Sequence, residues 1–192
     1  MRIEQYRLYG LVSAMALVAS GAFAQDSYPS RPVRLIVASS PGGGTDASAR
    51  IVANKLSDVL GQQVIVDNRP GAATMIGAEV TARAAPDGYT LLLTNSSMTI
   101  VPSMRKNPPL EILRGLAPIS LVSTNPQILV GHPSLPAKDT RQLIAFAKAR
   151  PGQLNYAAGS YGGNVHLCMA LFVQMAGVDI VYVPYKSGNA GL

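Results

Sequence analysis

One stretch constrains the fold of this 192-residue chain more than any other. Residues 33–38, Val-Arg-Leu-Ile-Val-Ala, run straight into Ser39-Ser40-Pro41-Gly42-Gly43-Gly44, and Thr45-Asp46 follows. The first part is β-branched and apolar, the composition of a buried strand. Over 46–60 the apolar residues Ile51, Val52, Leu56, Val59 and Leu60 recur at helical spacing. Thr45 or Asp46 is placed to cap that helix, and Gly61 to end it. A glycine loop between strand and helix brings main-chain N–H groups towards whatever lies beyond the sheet.

The alternation continues. Residues 63–67 read as a second strand, Asn68-Arg69-Pro70-Gly71 as a turn, 75–84 as an alanine-rich helix and 90–94 as a third strand. The order β-α-β-α-β predicts a parallel sheet with helices on both faces. Residues 101–115, with three prolines, predict a loop or a short irregular helix. Further strands are expected at 117–122 and 127–131, then a helix over 140–150, a strand at 155–157, a helix over 165–176 and a strand at 179–183. A second glycine-rich loop, 159–164, repeats the strand–loop–helix motif. No repeat of fixed period is present.

Function classes can be trimmed by composition. Apolar residues make up 48% and charged residues 14% of the chain, far from a disordered balance. The net charge of +6 is scattered, with Arg105-Lys106 the only adjacent basic pair. Nucleic-acid binding is therefore not expected. The single cysteine, Cys168, cannot form an intrachain disulfide, and with two histidines it makes no metal-ligand spacing. It is expected as a small buried residue on a helix. Residues 1–24 carry Arg2 and Arg7, an apolar run from Leu8 to Val18 and an Ala22-Phe23-Ala24 exit. That pattern predicts a secretory signal peptide and, after cleavage, a periplasmic protein.

Open α/β sheets bind ligands beyond the carboxyl ends of their strands. Loops 39–46, 95–99 and 159–164 are expected there. They offer Ser39, Ser40, Thr45, Ser96, Ser97, Thr99, Ser160 and Asn164, with free N–H groups near helix starts and no Lys or Arg. A small anion such as a carboxylate, held by neutral donors, fits that set. Neither a P-loop lysine nor a full dinucleotide fingerprint is present, and no cofactor is expected. No G-x-S-x-G occurs. His166 is expected to hold the second glycine loop by a hydrogen bond. His132 lies beside Pro133. Asp46 is read as a helix cap or as a partner for a ligand ammonium.

Several blocks taken together carry a resemblance. They are YPSRPVRLIV (28–37), PGGGTD (41–46), DNRPGA (67–72), AAPDGYTLLL (84–93), LAPISLV (116–122), HPSLPA (132–137), LIAFAKARPGQLNYA (143–157), His166-Leu167 and MAGVDIVYVPYK (175–186). In this order the chain resembles the substrate-binding proteins of tripartite tricarboxylate transporters, the Bug-type periplasmic receptors. The resemblance implies a type II periplasmic-binding-protein-like α/β fold. Two lobes with mostly parallel sheets would close over a cleft, the first over 25–122 and the second over 123–192. It implies capture of a small organic carboxylate and delivery to the membrane permease components of the transporter. The alternatives are presentation of the ligand to a sensor kinase, or a secreted α/β hydrolase or transferase.

By this resemblance Pro41, Gly42, Gly43, Gly44, Thr45 and Asp46 form the first ligand loop. Asn95, Ser96 and Ser97 form the second, and Ser160, Gly162, Gly163 and Asn164 the third. The third departs from the family pattern: Gly163-Asn164-Val165 stands where hydroxyl residues are usual. Residues 101–115 also depart, with Val101 where Asn is usual. Family members are markedly longer, so the second lobe and its closing elements are expected to be incomplete. A truncated copy with weak or absent ligand binding is the corresponding expectation.

Overall fold

The computed structural model describes residues 28–104, 106, 110–185 and 191. The expected signal peptide at 1–24 lies outside them. Arg31–Leu192 form one compact unit.

Strands β1 (Val33–Val37), β2 (Val64–Asn68) and β3 (Thr90–Leu93) make a parallel sheet in the order β2-β1-β3. Val33 pairs with Val64, and Val37 pairs with Leu93. The central strand β1 is the most buried of the three, which is why its sequence reads as an almost continuous apolar run. Side chains alternate across a strand. Val33, Leu35 and Val37 therefore share one face, where they pack with Ala49 and Ala53 of helix α1 (Gly44–Leu60). Helix α1 ends on Gly61 in the left-handed conformation. Helix α2 (Met75–Ala82) packs against β3 and β1.

Beyond β3 come the short helices α3 (Ser97–Ser103) and α4 (Leu110–Arg114). After them follow α5 (Thr140–Lys148), β4 (Leu154–Ala158), α6 (Asn164–Ala176) and β5 (Ile180–Pro184). Strands β4 and β5 form a second parallel pair, with Tyr156 opposite Tyr182.

Two expectations fail here. Residues 117–122 and 127–131 have no regular secondary structure and join no ladder among the described residues. A strand is defined by its partner, and no described segment pairs with these two. Their apolar side chains stand in solvent, with Ile119, Leu121 and Ile128 about four-fifths exposed. Cys168 is exposed rather than buried. Helix α6 also leaves Leu171 and Met175 exposed, so that side of the helix has no apolar layer against it among the described residues. No helix of the described residues is long and apolar enough to cross a membrane.

Candidate functional site

The two glycine loops share one backbone design. In the first, Gly42 has φ +80° and Gly43 is the extended N-cap of α1, at φ −82° and ψ 168°. In the second, Gly162 has φ +76° and Gly163 is the extended N-cap of α6, at φ −70° and ψ 161°. The left-handed position favours glycine at 42 and 162. In each loop the N–H of that glycine donates to the side chain four residues on. Gly42 donates to Asp46 Oδ2 at 2.9 Å, and Gly162 donates to His166 Nδ1 at 3.3 Å.

Neither helix is capped by a side chain from its N-cap position. Helix α5 contrasts with both, because the Asp139 carboxylate accepts the Gln142 N–H. The first N–H groups of an α-helix have no intrahelical acceptor. At α1 the N–H groups of Gly43, Gly44 and Thr45 meet no acceptor among the described residues. Pro41, Gly42 and Gly44 are exposed and Gly43 and Thr45 half-buried. This start of α1 is a run of donors without acceptors among the described residues, at the carboxyl end of β1.

Asp46 does not stand at the N-cap, one of the two parts expected of it. The N-cap is Gly43, not Thr45 or Asp46, and the Asp46 side chain is only 4% exposed. Its Oδ2 accepts from Gly42 and from Arg50 Nε at 3.0 Å, and its Oδ1 accepts from Asn68 Nδ2 at 2.9 Å. Asn68 Nδ2 also donates to the Ser39 carbonyl at 3.1 Å. The hydrogen bond from Arg50 outweighs burial and, with Gly42 and Asn68, lowers the Asp46 pKa from 3.8 to about 2. Three donors converge on this buried carboxylate, and together they hold the loop. Asn68 and Arg50 were not legible as site residues. Only the position of Asn68 at the carboxyl end of a strand neighbouring β1 hints at its part.

At the end of β3, Asn95 Oδ1 accepts the Ser97 N–H at 3.0 Å. Ser96 is exposed, whereas Ser97 is 2% exposed. The Asn164 N–H, first of α6, donates to Ser97 Oγ at 2.9 Å. The second and third expected ligand loops are thus joined directly. Ser160 accepts the Gly163 N–H through its carbonyl at 2.9 Å. Two hydroxyls at neighbouring strand ends, Ser39 Oγ and Thr94 Oγ1, are buried without a partner among the described residues.

After β2 the backbone is strained. Ala72, Ala73 and Thr74 all have positive φ, 46°, 50° and 81°. Each such residue costs about 1–2 kcal/mol. Thr74 is buried, and its Oγ1 has no partner among the described residues. The block DNRPGA marked a turn here, but nothing in it announced three successive left-handed residues.

His166 holds the second loop as expected and is 7% exposed. Tyr161, Tyr182 and Tyr156 surround it, with ring centroids at 4.7, 4.4 and 6.5 Å. Burial lowers its pKa below 6.5, so the ring is neutral at pH 7 and free to accept at Nδ1. The other histidine, His132, meets Ser134 Oγ at 2.7 Å on an exposed turn, remote in sequence from all three loops.

A parallel sheet with glycine loops at its carboxyl ends, followed by a second parallel pair built the same way, is the architecture of type II periplasmic-binding proteins. The match to solved structures agrees. A Rhodopseudomonas palustris protein, MatC, determined with bound malate, superposes with a TM-score of 0.72 at 27% identity, over 85% of this chain and 56% of that one. A second, Rpa4515 with adipate, gives a TM-score of 0.68 at 32% identity, over 83% and 54%. The chain belongs to the tripartite tricarboxylate transporter family of receptors, whose model matches residues 48–192. Among curated relatives, protein BugT of Bordetella pertussis is 42% identical over 182 residues, 94% of this chain and 56% of BugT. The chain thus spans about half the length of the relatives it matches.

Proposed function

We propose that this chain receives a small organic carboxylate, in the periplasm, for delivery to the permease components of a tripartite tricarboxylate transporter. The start of α1 carries the reading: the N–H groups of Gly43, Gly44 and Thr45 meet no acceptor among the described residues, and the neighbouring carboxylate of Asp46 is buried beneath three donors. Amides and the positive end of a 17-residue helix favour an anion. With no Lys or Arg in the loop, the anion is held by neutral donors. The exposed Ser96 lies in the adjacent expected ligand loop. Malate and adipate in two similar structures support the carboxylate class. The export-type sequence pattern at 1–24 supports the periplasm.

The test is an NMR titration of the 192-residue chain with malate, adipate and a neutral diol. Amide shifts at Gly43, Gly44 and Thr45 should follow the two carboxylates and not the diol. Absence of any shift at about 10 mM carboxylate, where even a millimolar site would be filled, would sink the reading.

A further inference from the structure

Ser96 and Ser97 are neighbours in sequence and opposites in placement, and the third loop explains why. Ser97 is buried, and its hydroxyl receives the Asn164 N–H at 2.9 Å, the first amide of α6. It also lies 3.4 Å from Asn164 Oδ1, itself occupied by the Val165 N–H. Around this contact α3 and the loop touch closely. A Cβ built on Gly162 would stand 3.3 Å from Met104 Sδ and 3.8 Å from Val101 Cγ2. One on Gly163 would stand 2.9 Å from the Ser160 carbonyl and 3.7 Å from Ser97 Oγ. Thus the glycines of the second loop admit protein, where those of the first face solvent.

We propose that Ser97 is a positioning residue, a hydroxyl cap supplied to α6 from the end of β3, which ties loop 159–164 to α3. Ser96 is then the one of the pair that faces a ligand. The Ser97 hydroxyl takes the Asn164 amide, whose counterpart at the start of α1, the Gly44 amide, meets no acceptor among the described residues. The assignment of Ser96 rests on the carboxylate-receptor reading; the tie between Ser97 and Asn164 does not.

Amide hydrogen exchange on the 192-residue chain tests the tie. Ser97→Ala should speed exchange at Asn164 on the order of fivefold, the loss of one neutral hydrogen bond, while the interiors of α1 and α6 stay as they were. Ser97→Thr, which keeps the hydroxyl, should restore the wild-type rate. An unchanged Asn164 rate in Ser97→Ala overturns the proposal, and so does a uniform acceleration across α1 and α6 with no excess at Asn164. In a malate titration Ser96→Ala should weaken binding more than Ser97→Ala; the reverse order overturns the division of labour. If malate leaves the wild-type amides unmoved, the receptor reading falls, and exchange at Asn164 still decides the tie.

Discussion

The loop from Ser40 to Asp46 and the loop from Ser160 to His166 are two versions of one device, offset by 120 positions. Each has a glycine at positive φ, a glycine N-cap and, at the third helical position, a side chain that takes the first glycine's N–H. The anchors differ. Asp46 is an ionised carboxylate with three donors upon it, whereas His166 is a neutral ring among tyrosines. Their surroundings differ as well: among the described residues the helix amides of the first loop meet no acceptor, and the second loop gives one to Ser97. A common backbone geometry therefore does not fix a common task. What touches the loop decides whether its donors serve a ligand or the fold.

The largest way to break this symmetry is at the anchors. Asp46→Ala removes the acceptor that Gly42, Asn68 and Arg50 share and should destabilise the chain by about 2–3 kcal/mol in urea unfolding. Asp46→Asn, which keeps one acceptor oxygen, should cost roughly half as much. Equal effects would mean that the charge, and not the hydrogen bonds, holds the loop.

Next come the glycines. Gly42→Ala places a Cβ in open space at positive φ and should cost about 1 kcal/mol. Gly162→Ala carries the same backbone penalty and also presses on Met104, so it should cost more. If the two substitutions unfold at the same denaturant concentration, the contact between the second loop and α3 is not a close one.

The smallest effect is in pH. Both anchors have folded-state pKa values below their ordinary ones, so both contribute stability at neutral pH that is lost on acidification. The windows differ. For His166 the loss begins as pH falls through the ordinary histidine value of 6.5 and is complete below its lowered value, where Nδ1 carries a proton and cannot accept from Gly162. For Asp46 the loss runs between 3.8 and about 2. Exchange rates corrected for intrinsic pH dependence should show the Gly162 amide losing protection first on acidification, with Gly42 unchanged. Simultaneous loss at both would count against separate anchoring.

Much of the first sheet could be read from residue pattern. The apolar run of β1, the helical spacing of α1 and the left-handed stop at Gly61 are local signals, and local physics satisfied them. The hold of His166 on its loop was legible for the same reason, since donor and acceptor are four residues apart. The strands expected at 117–122 and 127–131 were not settled by pattern. Alternating apolar residues state a capacity to pair, and pairing needs a second backbone. Cys168 fails likewise, because an apolar helix position is buried only if another element covers it.

The sequence by itself determined where the chain turns from strand to helix, and that neutral donors, not lysines, line those turns. Tertiary structure decided which donors remain available. Asp46 is consumed by Asn68 from the next strand and by Arg50, and Ser97 by Asn164 from 67 residues further on. A residue type states what a group can donate or accept. Only the approach of distant backbone shows whether that capacity is already spent.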